Sequence, residues 1–217
     1  MEGLIYKVQP YLEHARLLYV YTPVGKKTLL AQGAQKTNQS SRVLAQYLTL
    51  ISFKDQDHKQ FLTLMDAKII NDYGDLKRDF NQTKMIAVML EVIDRFIDEM
   101  QPHAHIFSEM LDVLKSKAVE CAVLSFLIKI LKFLGYPINF QANGKPVLGL
   151  NIERGGLIYT NQQDVVDLDV KLTIELLKLS LVPYASLETL TQETQEALKS
   201  FIQKYYQYHL QQTLKNL

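Results

Sequence analysis

The chain has 217 residues, of which 47% are hydrophobic and 22% charged, values that exclude disordered and fibrous proteins. Its single cysteine, Cys121, cannot form an internal disulfide or a cysteine-rich metal site, so we expect a cytoplasmic protein in a reducing compartment. Met1 to Val8 lacks the pattern of a signal peptide, and the longest apolar stretch, 118–134, is interrupted by charges and favours a core helix over a membrane span.

The net charge of +1 gives no reason by itself to expect a nucleic acid partner, but its distribution does. Residues 1–54 contain seven cationic and two acidic side chains, a net charge of +5, so the remaining residues must carry −4. A basic first segment joined to a mildly acidic body indicates a polyanion partner for the first segment.

The first 70 or so residues have the alternation of short β-strands separated by turns. The predicted strands are Gly3 to Val8, Arg16 to Thr22, Lys27 to Ala31, Tyr47 to Phe53 and Gln60 to Met65. A sheet of five short strands has exposed edges that closure removes, so the pattern predicts a small closed barrel.

Apolar residues recur every three to four positions after Tyr73, which predicts helices. The predicted helices are 83–100, 105–115, an almost wholly apolar central helix 118–134, 165–181 and 192–214. The glycine-rich stretch from Asn139 to Asn161 predicts a hairpin inserted in the helical part. We therefore predict two domains, 1–75 and 76–217, with a turn-rich insertion over 138–161.

Four cations of the first segment lie at or between turn residues, where long side chains can reach a ligand. They are Lys26, Lys27, Lys36 and Arg42, and the ligand they indicate is a phosphate backbone. The opposing interpretation is that lysines in turns are merely solvated.

Enzyme interpretations find little support in the chain, and we expect no catalytic residue, metal or cofactor. His103 and His105 follow a proline and have no third ligand nearby, which favours an exposed helix start. Cys121 has apolar neighbours that raise a thiol pKa, and Asp167 and Asp169 cannot share a helix face at a spacing of two.

Twelve short segments follow one another along nearly the whole chain: Gly3–Lys7, Tyr11–Glu13, Ala15–Leu17, Tyr21–Pro23, Gly25–Lys26, Ala31–Lys36, Ser41–Leu44, Leu62–Ala67, Leu90–Ile93, Leu134–Pro137, Tyr208–Leu210 and Leu214–Lys215. In their order and spacing they resemble the RecO family of bacterial recombination mediators.

The resemblance implies an α+β protein with an N-terminal OB-fold β-barrel followed by an all-α helical domain. It implies a non-enzymatic, nucleoid-associated mediator that binds single- and double-stranded DNA and anneals complementary strands. With RecR, such a mediator helps to load RecA onto DNA covered by single-strand binding protein. The alternative from another class is an OB-fold adaptor that binds proteins and has lost nucleic acid binding.

OB-folds hold single strands in a cationic groove and stack bases on aromatic rings. The DNA-binding candidates are therefore Lys7, Arg16, Lys26, Lys27, Lys36 and Arg42, with Tyr19, Tyr21 and Tyr47 as stacking faces. The acidic, hydrophobic tail of single-strand binding protein would need an apolar groove with a cationic rim, for which the candidates are Lys115, Lys117, Lys129 and Lys132. Strand tyrosines are more often packing residues, and lysines at such helix spacings are more often a solvated face.

Two departures from the family pattern stand out. Gln32 and Gln35 lie where family members commonly carry arginine and lysine. Many members also have a four-cysteine zinc module after the Leu-Gly-Tyr segment, whereas this chain has Gly155 and Gly156 there and no cysteine. Because zinc needs thiolate or imidazole ligands, we predict a metal-free hairpin insertion held by its own hydrophobic contacts.

Overall fold

The structure is a computed structural model that describes residues 1–34, 44–54, 62–64, 66–160 and 162–217. Its contacts separate two compact units. Unit 1 comprises Met1–Phe80 and Asp98–Ser108, and unit 2 comprises Asn81–Ile97 and Glu109–Leu217. An antiparallel sheet dominates the N-terminal part and helices dominate the C-terminal part, which confirms the predicted α+β class.

Unit 1 is built on a sheet in which six strands are described, one more than predicted. They are β1 (Glu2–Tyr11), β2 (Ala15–Thr22), β3 (Gly25–Ala31), β4 (Thr49–Ser52), β5 (Leu62–Thr63) and β6 (Lys68–Asn71). The strand order is β5-β3-β2-β1-β4-β6, and only the β3–β5 pair is parallel. The unpredicted strand is β6, which pairs with β4.

Alternation along the strands gives the sheet a core face and an outer face. The core face carries Leu18 and Val20 from β2 and Leu29 from β3, packed with Ile5, Ala34, Ala45, Ile51 and Phe53. The predicted closure of the barrel is not seen in the described residues, in which β5 and β6 are the two edges of the sheet. The predicted loop from Ala34 to Arg42 lies, except for Ala34, outside the described residues.

The five predicted helices follow in the predicted order, each with at least one end that differs, and a short helix that was not predicted precedes them. They are α1 (Gly74–Arg78), α2 (Phe80–Phe96), α3 (His103–Lys115), α4 (Val119–Ile130), α5 (Val170–Leu181) and α6 (Gln192–Leu210), with a 3-10 turn at Tyr184–Ser186. The central helix α4 ends four residues before the predicted Leu134, and the chain turns away at Gly135, whose φ of +86° favours glycine. The last helix stops at Leu210 because Gln211 adopts a left-handed conformation.

The predicted hairpin insertion is present as β7 (Val147–Asn151) and β8 (Gly156–Tyr159), and a third strand, β9 (Leu168–Asp169), extends it. The prediction that residues 165–169 are helical is wrong. The Asp167 carboxylate accepts hydrogen bonds from the Asn151 side chain and the Ile152 amide at 3.0 and 2.8 Å, so tertiary contacts hold this segment extended. Helix α5 begins only after Asp169, whose side chain accepts from the Leu172 amide at 2.8 Å.

A hydrogen bond and close packing attach the hairpin turn to α6. The His209 imidazole Nε2 lies 2.7 Å from the Ile152 carbonyl oxygen, and its ring centroid lies 4.3 Å from that of Tyr205. A side chain at Gly155 would meet the Tyr205 hydroxyl at 2.9 Å. Within the described ranges no group of three or more His, Cys, Asp or Glu residues is placed to hold a metal ion.

Two side chains one turn apart on α4 reach the end of α5. The Ser125 hydroxyl donates to the Leu179 carbonyl at 2.5 Å, and the Lys129 ammonium donates to the Val182 carbonyl at 2.9 Å. They satisfy carbonyl groups that a helix leaves unpaired at its C-terminus. In the part of the chain that the structure describes, no helix has both the length and the apolar character of a membrane span.

Candidate nucleic-acid interface

The outer face of the unit 1 sheet carries the candidate site, and its residues form rows across three strands. One row is Lys7, Tyr19 and Thr28, from β1, β2 and β3 in turn. Its neighbours are the row Gln9, Leu17 and Leu30 on one side and the row Leu4, Tyr21 and Lys26 on the other. The register thus places a lysine and a tyrosine of the predicted set side by side.

A β-bulge puts Lys7 on this face. Ile5 pairs with Val20, but the register shifts by one residue at Tyr6, so that Lys7 pairs with Tyr19. Without the bulge, Lys7 would follow Ile5 onto the core face, because alternate residues of a strand share a face. The bulge therefore replaces a buried position for this ammonium group with an outward one.

Part of the outer face is covered within unit 1. Tyr21 is 0% exposed, its hydroxyl lies 3.1 Å from His103 Nδ1, and its ring centroid lies 6.2 Å from that of Phe107. Burial also raises the pKa of the Tyr21 phenol. A base cannot reach a ring with no exposed surface, so Tyr21 is no longer a candidate for base stacking.

The rest of the face is partly or fully exposed, and we call it the open patch: Lys7, Gln9, Leu17, Tyr19, Thr28 and Leu30. At its centre the Lys7 ammonium lies 5.0 Å from the Tyr19 ring centroid, within the range of a cation–π contact. The Tyr19 hydroxyl donates to Gln9 Oε1 at 2.7 Å, and the Tyr6 ring lies 6.3 Å away. The patch therefore combines a cation with an oriented aromatic ring.

A cleft of about 960 Å³ adjoins the open patch at Leu30. Its described lining comes from the β1–β2 turn and the residues that follow β3, namely Leu12, Glu13, His14, Ala15, Gln32 and Gly33. Neither lysine nor arginine is among these described lining residues. Among the described residues, the cation of the candidate site therefore lies on the patch.

The other predicted DNA-binding residues lie elsewhere. Arg16 of β2 pairs with Ala31 of β3, and Lys27 of β3 pairs with Val20 of β2, so both lie in rows with core-face residues. The Arg16 guanidinium donates to the Ala45 carbonyl at 3.0 Å. Lys26 shares the outer face and is exposed, although it pairs with the buried Tyr21. Tyr47 is half-buried, and burial raises its pKa to about 12. Lys36 and Arg42 lie outside the described residues.

The four lysines predicted to bind a partner tail lie in pairs at the two ends of α4. Lys115 and Lys117 precede α4, while Lys129 and Lys132 lie at its other end. Lys117 and Lys129 are 12 residues apart, which is about 18 Å along a helix that rises 1.5 Å per residue. Lys129 donates to Val182 and lies 4.1 Å from the Tyr184 ring centroid, and burial lowers the pKa of this ammonium group. Lys115 and Lys132 are exposed.

Sequence reasoning missed several residues that organise the structure. His103 was predicted to lie at an exposed helix start, but its imidazole faces Tyr21. Its i, i+4 spacing with Phe107 was the available signal for an apolar contact. The role of His209 had no visible signal, because its partner, the Ile152 carbonyl, is distant in the sequence.

Comparisons with known proteins give one consistent family. The family model described as "Recombination protein O C terminal" matches residues 77–217, which is more than half of the chain. A Bacillus subtilis protein named "DNA repair protein RecO" is 26% identical over 166 residues, covering 75% of this chain and 60% of that protein.

Two further relatives carry the same name. The protein of Clostridium perfringens is 25% identical over 145 residues, covering 64% of this chain and 59% of its own length. The protein of Desulforamulus reducens is 22% identical over 234 residues, covering 99% of this chain and 91% of its own length. The chain thus spans about three fifths of the length of the Clostridium and Bacillus relatives.

Proposed function

The chain belongs to the RecO family, and we propose that it acts in DNA repair and recombination as a non-enzymatic mediator that binds DNA through unit 1. The observation that carries the proposal is the open patch, where the Lys7 ammonium and the Tyr19 ring lie side by side on a partly exposed sheet face. A cation beside an aromatic ring is the combination that single-stranded nucleic acids require.

The sheet of unit 1 supports an OB-fold. Strands β1, β2 and β3 form a meander, while β4 pairs with β1 and β5 pairs in parallel with β3. A Greek-key barrel of the OB type has these same connections. Closing the sheet seen here would need a contact between its outer strands β5 and β6. We propose that unit 1 is a partly open barrel of this kind.

The chemistry of binding follows from the patch. A phosphate of the DNA backbone contacts Lys7, and an adjacent base stacks on Tyr19, a contact worth about 1–3 kcal/mol per base. Binding through the phosphate releases a counterion, so the affinity falls as salt rises, by a slope of about 0.7 per phosphate for single strands. Lys36 and Arg42 remain predicted backbone contacts.

Further steps of the proposed function need partners. They are the annealing of complementary strands and, with RecR, the loading of RecA onto DNA covered by single-strand binding protein. For the acidic tail of single-strand binding protein we retain Lys115, Lys117 and Lys132 as proposed contacts. We exclude Lys129, because its ammonium group already binds Val182. A Lys115→Glu, Lys132→Glu double variant that binds a tail peptide as well as wild type would refute these contacts.

The cleft beside the patch favours a second function, that of a protein-binding adaptor. Its described lining is apolar at Leu12 and Leu30 and polar at Gln32, without a basic residue, and the net charge of the chain is only +1. A barrel that has exchanged its nucleic acid ligand for a protein segment would have such a surface.

A titration of fluorescent single-stranded DNA at several salt concentrations distinguishes the two functions. DNA binding through the patch predicts an affinity that falls steadily with salt, and a Lys7→Gln variant that loses about 0.7 of the slope. The matched control is Lys171→Gln, an exposed lysine on α5. An affinity independent of salt, or an equal effect of the two variants, would contradict the proposal.

A further inference from the structure

The Tyr19 ring is held in place from several sides. Its hydroxyl donates to Gln9 Oε1 at 2.7 Å, and its ring centroid lies 6.3 Å from that of Tyr6, a residue only 5% exposed. The Lys7 ammonium lies over the ring at 5.0 Å from its centroid. In the free protein, the surface on which a base would stack therefore carries a cation.

A base and an ammonium group cannot occupy the same ring surface. The lysine has a flexible four-carbon stem, whereas the tyrosine is fixed by its hydrogen bond and its packing, so the lysine is the group that moves. A phosphate offers the ammonium group a stronger partner than the ring, because an ionised acceptor strengthens a hydrogen bond. Backbone binding at Lys7 and base stacking on Tyr19 are thus compatible only after the ammonium has left the ring.

We infer that Lys7 is a phosphate-released cap on the Tyr19 stacking surface, so that a base gains access to the ring only when a backbone phosphate has engaged the lysine. This inference rests on the proposed function and adds a selection rule to it. The site discriminates against free nucleosides, which have a base but no phosphate, and favours the nucleic acid polymer.

The cap makes opposite predictions for two ligands. For thymidine, the lysine is only a competitor, so Lys7→Gln strengthens binding by about 2- to 5-fold, the factor that corresponds to an exposed cation–π contact. For an oligonucleotide, the lysine is also a phosphate contact, so Lys7→Gln weakens binding. A residue that merely supports the sheet would not change the two affinities in opposite directions.

The experiment measures three affinities for each variant: for oligo-dT, for an abasic oligonucleotide of the same length, and for thymidine by NMR titration. The variants are wild type, Lys7→Gln, Tyr19→Leu and Tyr19→Phe. In wild type, oligo-dT binds about 5- to 150-fold more tightly than the abasic strand, which is the factor for one stacked base. This ratio falls towards 1 in Tyr19→Leu and is kept in Lys7→Gln and Tyr19→Phe.

The outcomes separate this inference from its premise. A wild-type ratio that is unchanged in Tyr19→Leu would overturn the inference while leaving DNA binding intact, and so would a thymidine affinity that does not rise in Lys7→Gln. Tyr19→Phe keeps the ring and guards against a folding defect in Tyr19→Leu. A wild-type protein that binds neither oligonucleotide at low salt would refute the proposed function itself.

Discussion

Glu91 and Arg95 on α2 hold the C-terminal segment of unit 2, and replacing Glu91 with alanine tests this contact. The Glu91 carboxylate accepts from the Lys215 amide at 3.0 Å and from the Arg95 guanidinium, which in turn donates to the Thr213 carbonyl at 2.7 Å. The Glu91 side chain is 9% exposed and that of Arg95 is 27% exposed. The Glu91 carboxylate is therefore largely shielded from solvent, whereas the Arg95 side chain is partly exposed.

The size of the effect has a lower and an upper bound. Hydrogen bonds to a charged group contribute about 1.5–3 kcal/mol each. The loss cannot exceed the free energy that holds the C-terminal segment in place. The main contribution to that free energy is the burial of Leu214, which is 2% exposed and contributes about 1.5–3 kcal/mol. Once the segment detaches, no further contact is lost, so Glu91→Ala should lower the free energy of unfolding by about 2–3 kcal/mol.

Urea unfolding measures the free energy, and hydrogen exchange at the Lys215 amide measures the local contact. The matched control is Glu196→Ala on α6, which removes an exposed ion pair with Lys199 and should cost at most about 1 kcal/mol. If Glu91→Ala costs no more than this control, and the Lys215 amide exchanges as in wild type, the assigned role of Glu91 is refuted.

Three further predictions concern the helical unit and its insertion. Gly149→Ala should lower the free energy of unfolding by about 3 kcal/mol or more, because the new Cβ would lie 2.0 Å from the Leu168 carbonyl oxygen, at a residue whose φ is +150°. Asp169→Ala should cost about 1 kcal/mol in urea unfolding, because the Leu172 amide loses its cap. Burial raises the pKa of Tyr205 to about 12 from its ordinary value near 10. The contribution of this phenol to the free energy of unfolding is therefore complete below pH 10 and is lost between pH 10 and about 12. Tyr205→Phe should make that loss smaller.

Each of these predictions has an outcome that contradicts it. Wild-type stability of Gly149→Ala would mean that β9 is not held against β7 as described. Wild-type helicity and stability of Asp169→Ala would mean that the carboxylate does not cap α5. An equal decline of stability between pH 10 and 12 in wild type and Tyr205→Phe would show that Tyr205 does not titrate differently in the folded and unfolded states.

The strands β1 to β3 and the helices were predictable because their periodicity is local. It was harder to predict from the sequence which face of the sheet each strand residue lies on. Alternation alone assigns Lys7 to the same face as Ile5, and only the bulge at Tyr6, which depends on the pairing with β2, turns it outward. Lys7 therefore lies on the outer face for a reason that the sequence does not contain.

Tertiary contacts explain the remaining differences. Tyr19 and Tyr21 are equivalent by alternation, but His103 and Phe107 cover Tyr21 and leave Tyr19 accessible. Likewise, the apolar periodicity after Val165 resembles a helix, but the hydrogen bonds of Asp167 hold the chain extended. In both places the deciding partner is distant in the sequence, and no local pattern can indicate it.

The chain contains no tryptophan, so a single tryptophan can report where DNA binds. The central measurement is the emission of a Tyr19→Trp variant during titration with oligo-dT, compared with Tyr208→Trp, which replaces an exposed tyrosine of α6. Base stacking on the open patch predicts that the first variant is quenched with the same midpoint as DNA binding, while the second is unchanged. Quenching of Tyr208→Trp alone, or DNA binding with no change at position 19, would contradict the account.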